Sequence, residues 1–108
     1  MTIDDATVVD VIVEDEATAI VRLLMTDRRD WSAEHEHLRA LQDKLNRYLA
    51  FVEGGELVAQ SPHLAECRVR IEVTFRHEPT PHAREGFLLP AQQSIREAGM
   101  DFVWTVGT

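Results

Sequence analysis

The sequence predicts an α+β fold, a two-layer sandwich in which a four-stranded mixed sheet carries two helices on one face, in the order β-β-α-β-α-β. Two patterns support this prediction. From Cys67 to Arg76, apolar and polar residues alternate, as in a strand with one face on a core. From about residue 33 to 53, apolar residues recur every three or four positions, as on the buried stripe of a helix.

The chain is predicted to begin with a hairpin. Residues 8–14 and 18–26 are rich in Val and Ile, and the polar interruption between them is short enough for an antiparallel turn. The long helix follows, with Ser32 as its N-cap and Gly54–Gly55 as its end. Lys44 is placed off its buried stripe, for which we expect Leu38, Leu41, Leu45, Tyr48, Leu49 and Val52.

The second half adds a strand, a helix and a strand after the connector 56–66. Thr80 and Pro81 are typical of a helix start, and Pro90 predicts a kink or two short helices. Residues 100–106 alternate again as a last strand. The expected buried face of this second helix consists of Ala83, Phe87, Ala91, Ile95 and Ala98.

Composition limits the classes of partner. The chain has 108 residues and 44% hydrophobic residues, which predicts a single domain over 1–108 with a real core. Nineteen acidic against eleven basic residues give a net charge of -8. This charge opposes phosphate backbones and anionic lipids, so neither a nucleic acid nor a membrane is expected as a partner, and basic proteins are favoured.

Cysteine usage and the lack of long apolar runs predict a cytoplasmic protein. A single cysteine, Cys67, cannot form an internal disulfide, and no secretory signal is visible. Because Cys67 falls at an inward position of a predicted strand, we expect a buried structural thiol and no nucleophile.

The central run resembles a known family. The matching residues are Trp31, His37–Leu38, the run 41–51 and Gly55–Glu56, and the likeness extends to the third strand and to Ala98–Gly99. They resemble a family of small bacterial proteins, about one hundred residues long, that is catalogued as a domain of unknown function. The resemblance implies a bacterial cytoplasmic origin and supplies no catalytic residues.

The five histidines do not predict a metal site. His35 and His37 are two positions apart, which on a helix is roughly 200° of rotation, so their rings diverge. His37 could pair with Glu34, one turn earlier, but Glu34 is already explained by the helix N-terminus. We therefore expect no metal and no cofactor.

Two further histidines mark the most favourable place for a pocket. His77 and His82 flank the loop between the third strand and the second helix, and loops at the ends of parallel strands commonly form sites. The alternative is a rigid, proline-fixed connection with exposed histidines. No nucleophile elbow, phosphate-binding glycine loop or dinucleotide fingerprint is present in the sequence, so we assign no catalytic residue.

The outward face of the predicted sheet is the main functional hypothesis. It combines arginines with apolar residues, as many protein interfaces do, and its expected members are Ile12, Ile20, Arg22, Leu24, Arg68, Arg70 and Val103. Two alternatives stay open. The arginines could form cross-strand pairs with Glu72 and Asp10, and the connector 56–66 could cover part of the face.

Three functions follow in order of preference. The first is a non-catalytic interaction domain that forms a homodimer or docks a protein partner through the sheet face, for example to mask a basic protein. The second is a small enzyme or ligand-binding protein with a pocket near His77 and His82, although no small-molecule ligand is evident from the sequence. Nucleic-acid binding through the arginine row is the least favoured, because of the acidic charge.

Overall fold

A computed structural model describes residues 11–15 and 17–107. The elements are β1 (Val11–Asp15), β2 (Ile20–Asp27), α1 (Glu34–Glu53), α2 (Glu56–Gln60), a 3₁₀ turn (Pro62–Leu64), β3 (Arg68–Phe75), α3 (Pro81–Ala83), a π-helical turn (Arg84–Leu88), α4 (Leu89–Glu97) and β4 (Asp101–Val106). The predicted order is confirmed, and residues 8–10 of the predicted first strand lie outside the described residues. In the described part of the chain, no helix is both long and apolar enough to cross a membrane.

The sheet is mixed, as predicted. Its strands lie in the order β1-β2-β3-β4, and β1 is antiparallel to β2, whereas β2, β3 and β4 are mutually parallel. A short turn can only reverse the chain, so β1 and β2 form a hairpin. The helical crossovers after β2 and β3 return the chain in the same direction.

A single core fills the space between the sheet and the helices. Alternate strand residues point into it because side chains on a strand have a period of two. Burying one such aliphatic or aromatic side chain contributes about 1.5–3 kcal/mol. The buried strand residues are Val21, Leu23, Met25, Val69, Ile71, Val73, Phe75 and Phe102.

Helix α1 matches the predicted span, but its start differs from the prediction. Ser32 is not the N-cap: Ala33 occupies that position without a side-chain hydrogen bond. The Ser32 hydroxyl and amide instead donate to Asp30 Oδ1, at 2.5 and 3.0 Å, because a nearby carboxylate competes for these donors. The end is as predicted, since Gly55 has the left-handed φ of 83° that glycine adopts at little cost.

The buried stripe of α1 is rotated from the predicted one. Lys44 is fully buried, although its charge suggested an exposed position, and its ammonium lies 5.6 Å from the centre of the Tyr48 ring. A lysine has a long aliphatic stem that packs well, so its charge alone is a poor guide to burial. Leu38, Leu49 and Val52 are only partly buried, and the buried residues are His37, Leu41, Lys44, Leu45, Tyr48 and Phe51.

The second helical segment begins as predicted and then departs from a regular α-helix. Thr80 Oγ1 accepts a hydrogen bond from the Ala83 amide at 3.0 Å, and Pro81 is the first helical residue. The irregularity expected from Pro90 takes the form of the π-helical turn that precedes it. Because a π turn holds an extra residue, Leu88 is fully buried, whereas Phe87, which was predicted for the buried face, is only partly buried. Ala98 was also predicted for that face and is exposed at the end of the helix.

Candidate functional site

One face of the sheet carries no helix in the described part of the chain, and we call it the open sheet face. Six of the seven predicted interface residues lie on it: Ile20, Arg22, Leu24, Arg68, Arg70 and Val103. The whole face comprises Val11, Val13, Asp15, Ile20, Arg22, Leu24, Thr26, Arg68, Arg70, Glu72, Thr74, Asp101, Val103 and Thr105.

The seventh predicted interface residue, Ile12, is on the opposite face, so that prediction is wrong. Ile12 pairs with the buried Leu23, which puts its side chain on the helix side, where it is 38% exposed at the sheet edge. Its neighbours Val11 and Val13 occupy the open sheet face instead. A run of three aliphatic residues has no alternation, and an error of one position moves a side chain to the other face.

The connector 56–66 does not cover the open sheet face. Leu57 and Leu64 are buried in the core on the helix side. His63 Nε2 lies 2.9 Å from a carboxylate oxygen of Glu14, whose strand position points to that same side. The alternative that this segment shields the arginines is therefore wrong.

Two arginines on the open sheet face make bidentate ion pairs with carboxylates. Arg22 donates to both carboxylate oxygens of Glu72, at 2.6 and 3.0 Å, as the cross-strand alternative predicted. Arg68 donates in the same way to Asp101, at 2.7 and 2.9 Å, and holds the pKa of that carboxyl below its usual value. Asp10, the other predicted partner, lies outside the described residues. Such paired geometry fixes both side chains more firmly than a single contact does.

Arg70 lies between these pairs and differs from them. Its register partners are Arg22 on β2 and Asp101 on β4. The Arg70 Nε is buried and has no hydrogen-bond acceptor in the structure, and burying an unpaired donor costs free energy. The face as described thus holds three arginines and three carboxylates, the latter from Asp15, Glu72 and Asp101.

The loop after β3 separates the two histidines that were predicted to form a pocket. His82 is largely exposed, and its Nδ1 lies 2.8 Å from Glu34 Oε2 on α1. Glu34 also accepts a hydrogen bond from the Thr80 hydroxyl, which lowers the pKa of this carboxyl. The backbone carbonyl of His77 accepts from Trp31 Nε1 at 3.1 Å.

A depression of about 360 Å³ does lie beside this loop, but neither histidine lines it. Its wall combines the two loop prolines with the ring of Trp104 and three charged side chains. The lining residues are Glu78, Pro79, Pro81, Arg84, Glu85, Trp104 and Val106. The loop is therefore both a fixed connection and the border of a small surface cavity.

A buried polar cluster joins the end of β2 to the first turn of α1, and the sequence analysis did not identify it. Asp27 and His37 are 0% and 1% exposed, and His37 Nε2 contacts Asp27 Oδ2. The ring of Trp31 stacks on His37 with the ring centres 3.7 Å apart. Position 27 continues the inward alternation of Leu23 and Met25 along β2, which was the available signal for a buried Asp27.

The hydrogen bonds of this cluster fix where its protons are. His37 Nδ1 donates to the carbonyl oxygen of Asp30 at 3.0 Å, since a carbonyl only accepts. A second proton then lies between His37 Nε2 and Asp27 Oδ2, bonded to one of these two atoms and hydrogen-bonded to the other. Burial raises the pKa of Asp27, and the hydrogen bond from His37 only partly offsets this rise.

Asp27 and His37 are not arranged for catalysis. Both ring nitrogens of His37 already have partners, and the ring is covered by Trp31. A general base needs a free nitrogen within reach of a substrate. The cluster therefore joins elements of the fold.

The structure separates His35 from His37, as the helical spacing predicted. His35 is exposed on the outer side of α1, whereas His37 is buried. Among residues 11–15 and 17–107, no group of three or more His, Cys, Asp or Glu side chains could hold a metal ion. His37 pairs with Asp27, and Glu34 pairs with Thr80 and His82.

Cys67 is half-buried, so the predicted burial is only partly met. It lines a cavity of about 210 Å³ with His63 and Glu14, a combination that suggests a nucleophile with its base. Within the described residues no hydrogen bond connects the thiol to His63, whose Nε2 pairs with Glu14 instead. Activation of a thiol needs that connection, so this group is not a catalytic triad.

Comparison with known proteins identifies a family but no activity. A model described as a family of unknown function (DUF6572) matches residues 1–108. No curated protein and no solved structure matches the chain.

We expect His37→Phe to destabilise the fold by about 3–5 kcal/mol, the usual cost of removing one partner of a buried pair. Phenylalanine keeps a ring for Trp31 but leaves Asp27 buried with the Arg29 amide, at 3.0 Å, as a remaining hydrogen-bond donor. Urea denaturation measures the loss. His35→Phe is the matched control, and it should change the free energy of unfolding by no more than about 0.5 kcal/mol. Equal effects of the two substitutions would show that the pair is unimportant.

The raised pKa of Asp27 predicts a pH dependence with a defined sign. In the unfolded chain an aspartate has a pKa of about 3.9. The pKa of Asp27 is higher than this in the folded state, so the native state binds the proton more tightly. The stability that the native state gains from binding this proton is complete below the unfolded-state pKa. It is lost as pH rises through the folded-state pKa of Asp27. Asp27→Asn mimics the protonated acid, so the stability of the wild type relative to this variant should fall as pH increases in this window.

The difference in stability between the wild type and Asp27→Asn excludes the contribution of the other carboxyls. Ser32, Thr80 and Arg68 lower the pKa values of Asp30, Glu34 and Asp101, respectively, and these three carboxyls are present in both proteins. A relative stability of the wild type that rose with pH would instead indicate that Asp27 is charged in the native state and stabilised by His37.

Proposed function

The chain belongs to the DUF6572 family of unknown function, and we propose that it is a non-catalytic protein-interaction domain that pairs with a second copy of itself through the open sheet face. The composition of that face supports the proposal. Five aliphatic side chains, those of Val11, Val13, Ile20, Leu24 and Val103, surround the arginines and carboxylates. Soluble monomers rarely expose large apolar patches, and interfaces are enriched in arginine.

Charge favours a second copy over a basic partner on this face. Its described residues carry three positive and three negative side chains, so the net charge of -8 resides elsewhere in the chain. A basic protein would be attracted to those other surfaces. A second copy meets the least repulsion where the charges balance, and a two-fold axis would let arginines of one copy face carboxylates of the other.

The size of the face indicates a modest affinity. Four strands span about 20 Å across the sheet, and the eight-residue strands β2 and β3 are about 25 Å long. A pair of such faces buries on the order of 1,000 Å², which is near the lower limit for a specific interface. We therefore expect a dimer whose population depends on protein concentration.

The proposal also places the protein in the cytoplasm of a bacterium, as the sequence analysis predicted. The free thiol of Cys67 is compatible with a reducing compartment.

Sedimentation equilibrium on the wild type, Leu24→Arg and Ile20→Arg tests the dimer. We expect the wild type to dimerise with increasing concentration and both variants to stay monomeric, because each places a new positive charge within the interface, where burying a charge is costly.

Leu89→Arg provides the matched control. Leu89 is 42% exposed at the start of α4, in the helix layer, and the same substitution there should leave the dimer intact. A wild type that is monomeric at every concentration, or a dimer that survives both open-face substitutions, would rule the proposal out.

A second candidate function is that of a small enzyme or ligand-binding protein with its pocket beside the loop between β3 and α3. The supporting observation is the depression next to Trp104, whose volume of about 360 Å³ falls within the usual range for small-molecule sites. The two prolines of the loop keep its wall rigid.

A thermal-shift screen against metals, nucleotides and metabolites tests this candidate. A true ligand should raise the Tm of the wild type, and the effect should be lost in Val106→Arg, which fills the depression. Val58→Arg is the control, because Val58 is an exposed valine of α2 that does not line it. If no compound raised the Tm, or if both variants kept the response, this function would be left with little support.

A further inference from the structure

A second group of side chains lies at the carboxyl ends of the parallel strands, where the open sheet face ends. Thr26 of β2 pairs in register with Thr74 of β3, and Arg28 and Arg76 follow two residues later on the same two chain segments. The backbone ladder continues beyond the strand ends, because the Arg76 amide donates to the Asp27 carbonyl at 2.8 Å.

These side chains form one concave site. Thr26, Arg28, Thr74, Arg76 and Gly107 line a depression of about 380 Å³. Gly107 is held beside β3 by a hydrogen bond from its amide to the Phe75 carbonyl, at 2.8 Å. A Cβ atom at this position would lie 3.3 Å from the methyl group of Thr74. The absence of a side chain at Gly107 therefore leaves this part of the depression open.

The two arginines of this site differ from Arg22 and Arg68 on the open sheet face. Arg28 and Arg76 are exposed, and neither makes an ion pair with a carboxylate in the described part of the chain. Like charges on adjacent strands repel each other. In a chain with nineteen acidic residues, two neighbouring guanidinium groups without a carboxylate are a local exception to the overall charge.

The chemistry of the lining residues selects an anion. Guanidinium groups donate in a planar fork that matches the oxygens of phosphate and carboxylate groups, and threonine hydroxyls add further donors. No carboxylate lines the depression to compete for these donors. Its volume exceeds that of a single oxyanion and is in the range of small-molecule sites.

We propose that Thr26, Arg28, Thr74 and Arg76 form a binding site for the phosphate or carboxylate group of a small molecule. The site goes beyond the proposed dimer, since all its lining residues come from one chain and it lies at the end of the open sheet face. Neither proposal requires the other.

NMR titration of the ¹⁵N-labelled protein with inorganic phosphate, and separately with acetate, tests the site at constant ionic strength set by chloride. We expect saturable shifts of the amides of Arg28, Arg76 and Gly107 with one or both anions. The anion that binds with the higher affinity identifies the group, phosphate or carboxylate, that the site prefers. Arg28→Gln and Arg76→Gln should each weaken binding by about tenfold, which corresponds to the loss of one charge-assisted hydrogen bond.

Arg84→Gln is the control, because Arg84 is an exposed arginine that lines the other depression, next to Trp104. It should leave the affinity unchanged. Shifts that stay linear with anion concentration, or an equal weakening in all three variants, would overturn the proposal, since both indicate nonspecific screening.

Ile20→Arg separates the two proposals. Ile20 is at the opposite end of β2 from Thr26, so this variant should lose the dimer and still bind the anion. Loss of binding together with loss of the dimer would show that the anion site requires the second copy, and would overturn the proposal of a site within one chain.

Discussion

The direction of the two helical crossovers determines how the rest of this protein is arranged. The chain steps from β2 to β3 and from β3 to β4, in the same direction along the sheet. Crossovers between parallel strands are almost always right-handed, so two that step the same way place their helices on the same face. The core forms there, and the opposite face has no helix among the described residues. The open sheet face is thus a result of topology, and within a single chain its described side chains must remain stable in contact with water.

The open sheet face meets this requirement by pairing charges across strands. Arg22 with Glu72 and Arg68 with Asp101 bring polar groups over a surface that also holds aliphatic side chains. The carboxyl ends of the strands show a different pattern, because Arg28 and Arg76 have threonines and no carboxylate beside them. The open sheet face therefore has balanced charges, and a basic site lies beyond its end. We propose different partners for these two regions, a second copy of the chain for the open sheet face and an anion for the basic site.

The sequence predicted most of the fold because periodicity is strong in β3 and α1. It was less informative where periodicity was absent or disturbed. The aliphatic run 11–13 has no alternation, which led to the wrong face for Ile12. The π turn adds a residue that no local pattern revealed, and this moved Leu88 into the core. Asp27 is buried against His37, which belongs to another element, and Lys44 is buried beside the ring of Tyr48, so the charge of these two residues was a poor guide to their burial.

The stacking of Trp31 on His37 has a practical consequence for experiments. An indole in face-to-face contact with an imidazole has an emission that depends on the electronic state of that neighbour. The same indole donates a hydrogen bond to the backbone after β3, so it touches two separate parts of the fold. Trp31 is therefore a built-in fluorophore at the junction of β2, α1 and the loop after β3. The chain has two tryptophans, so once Trp104 is replaced by phenylalanine the spectrum of Trp31 can follow local opening at this junction without any added label.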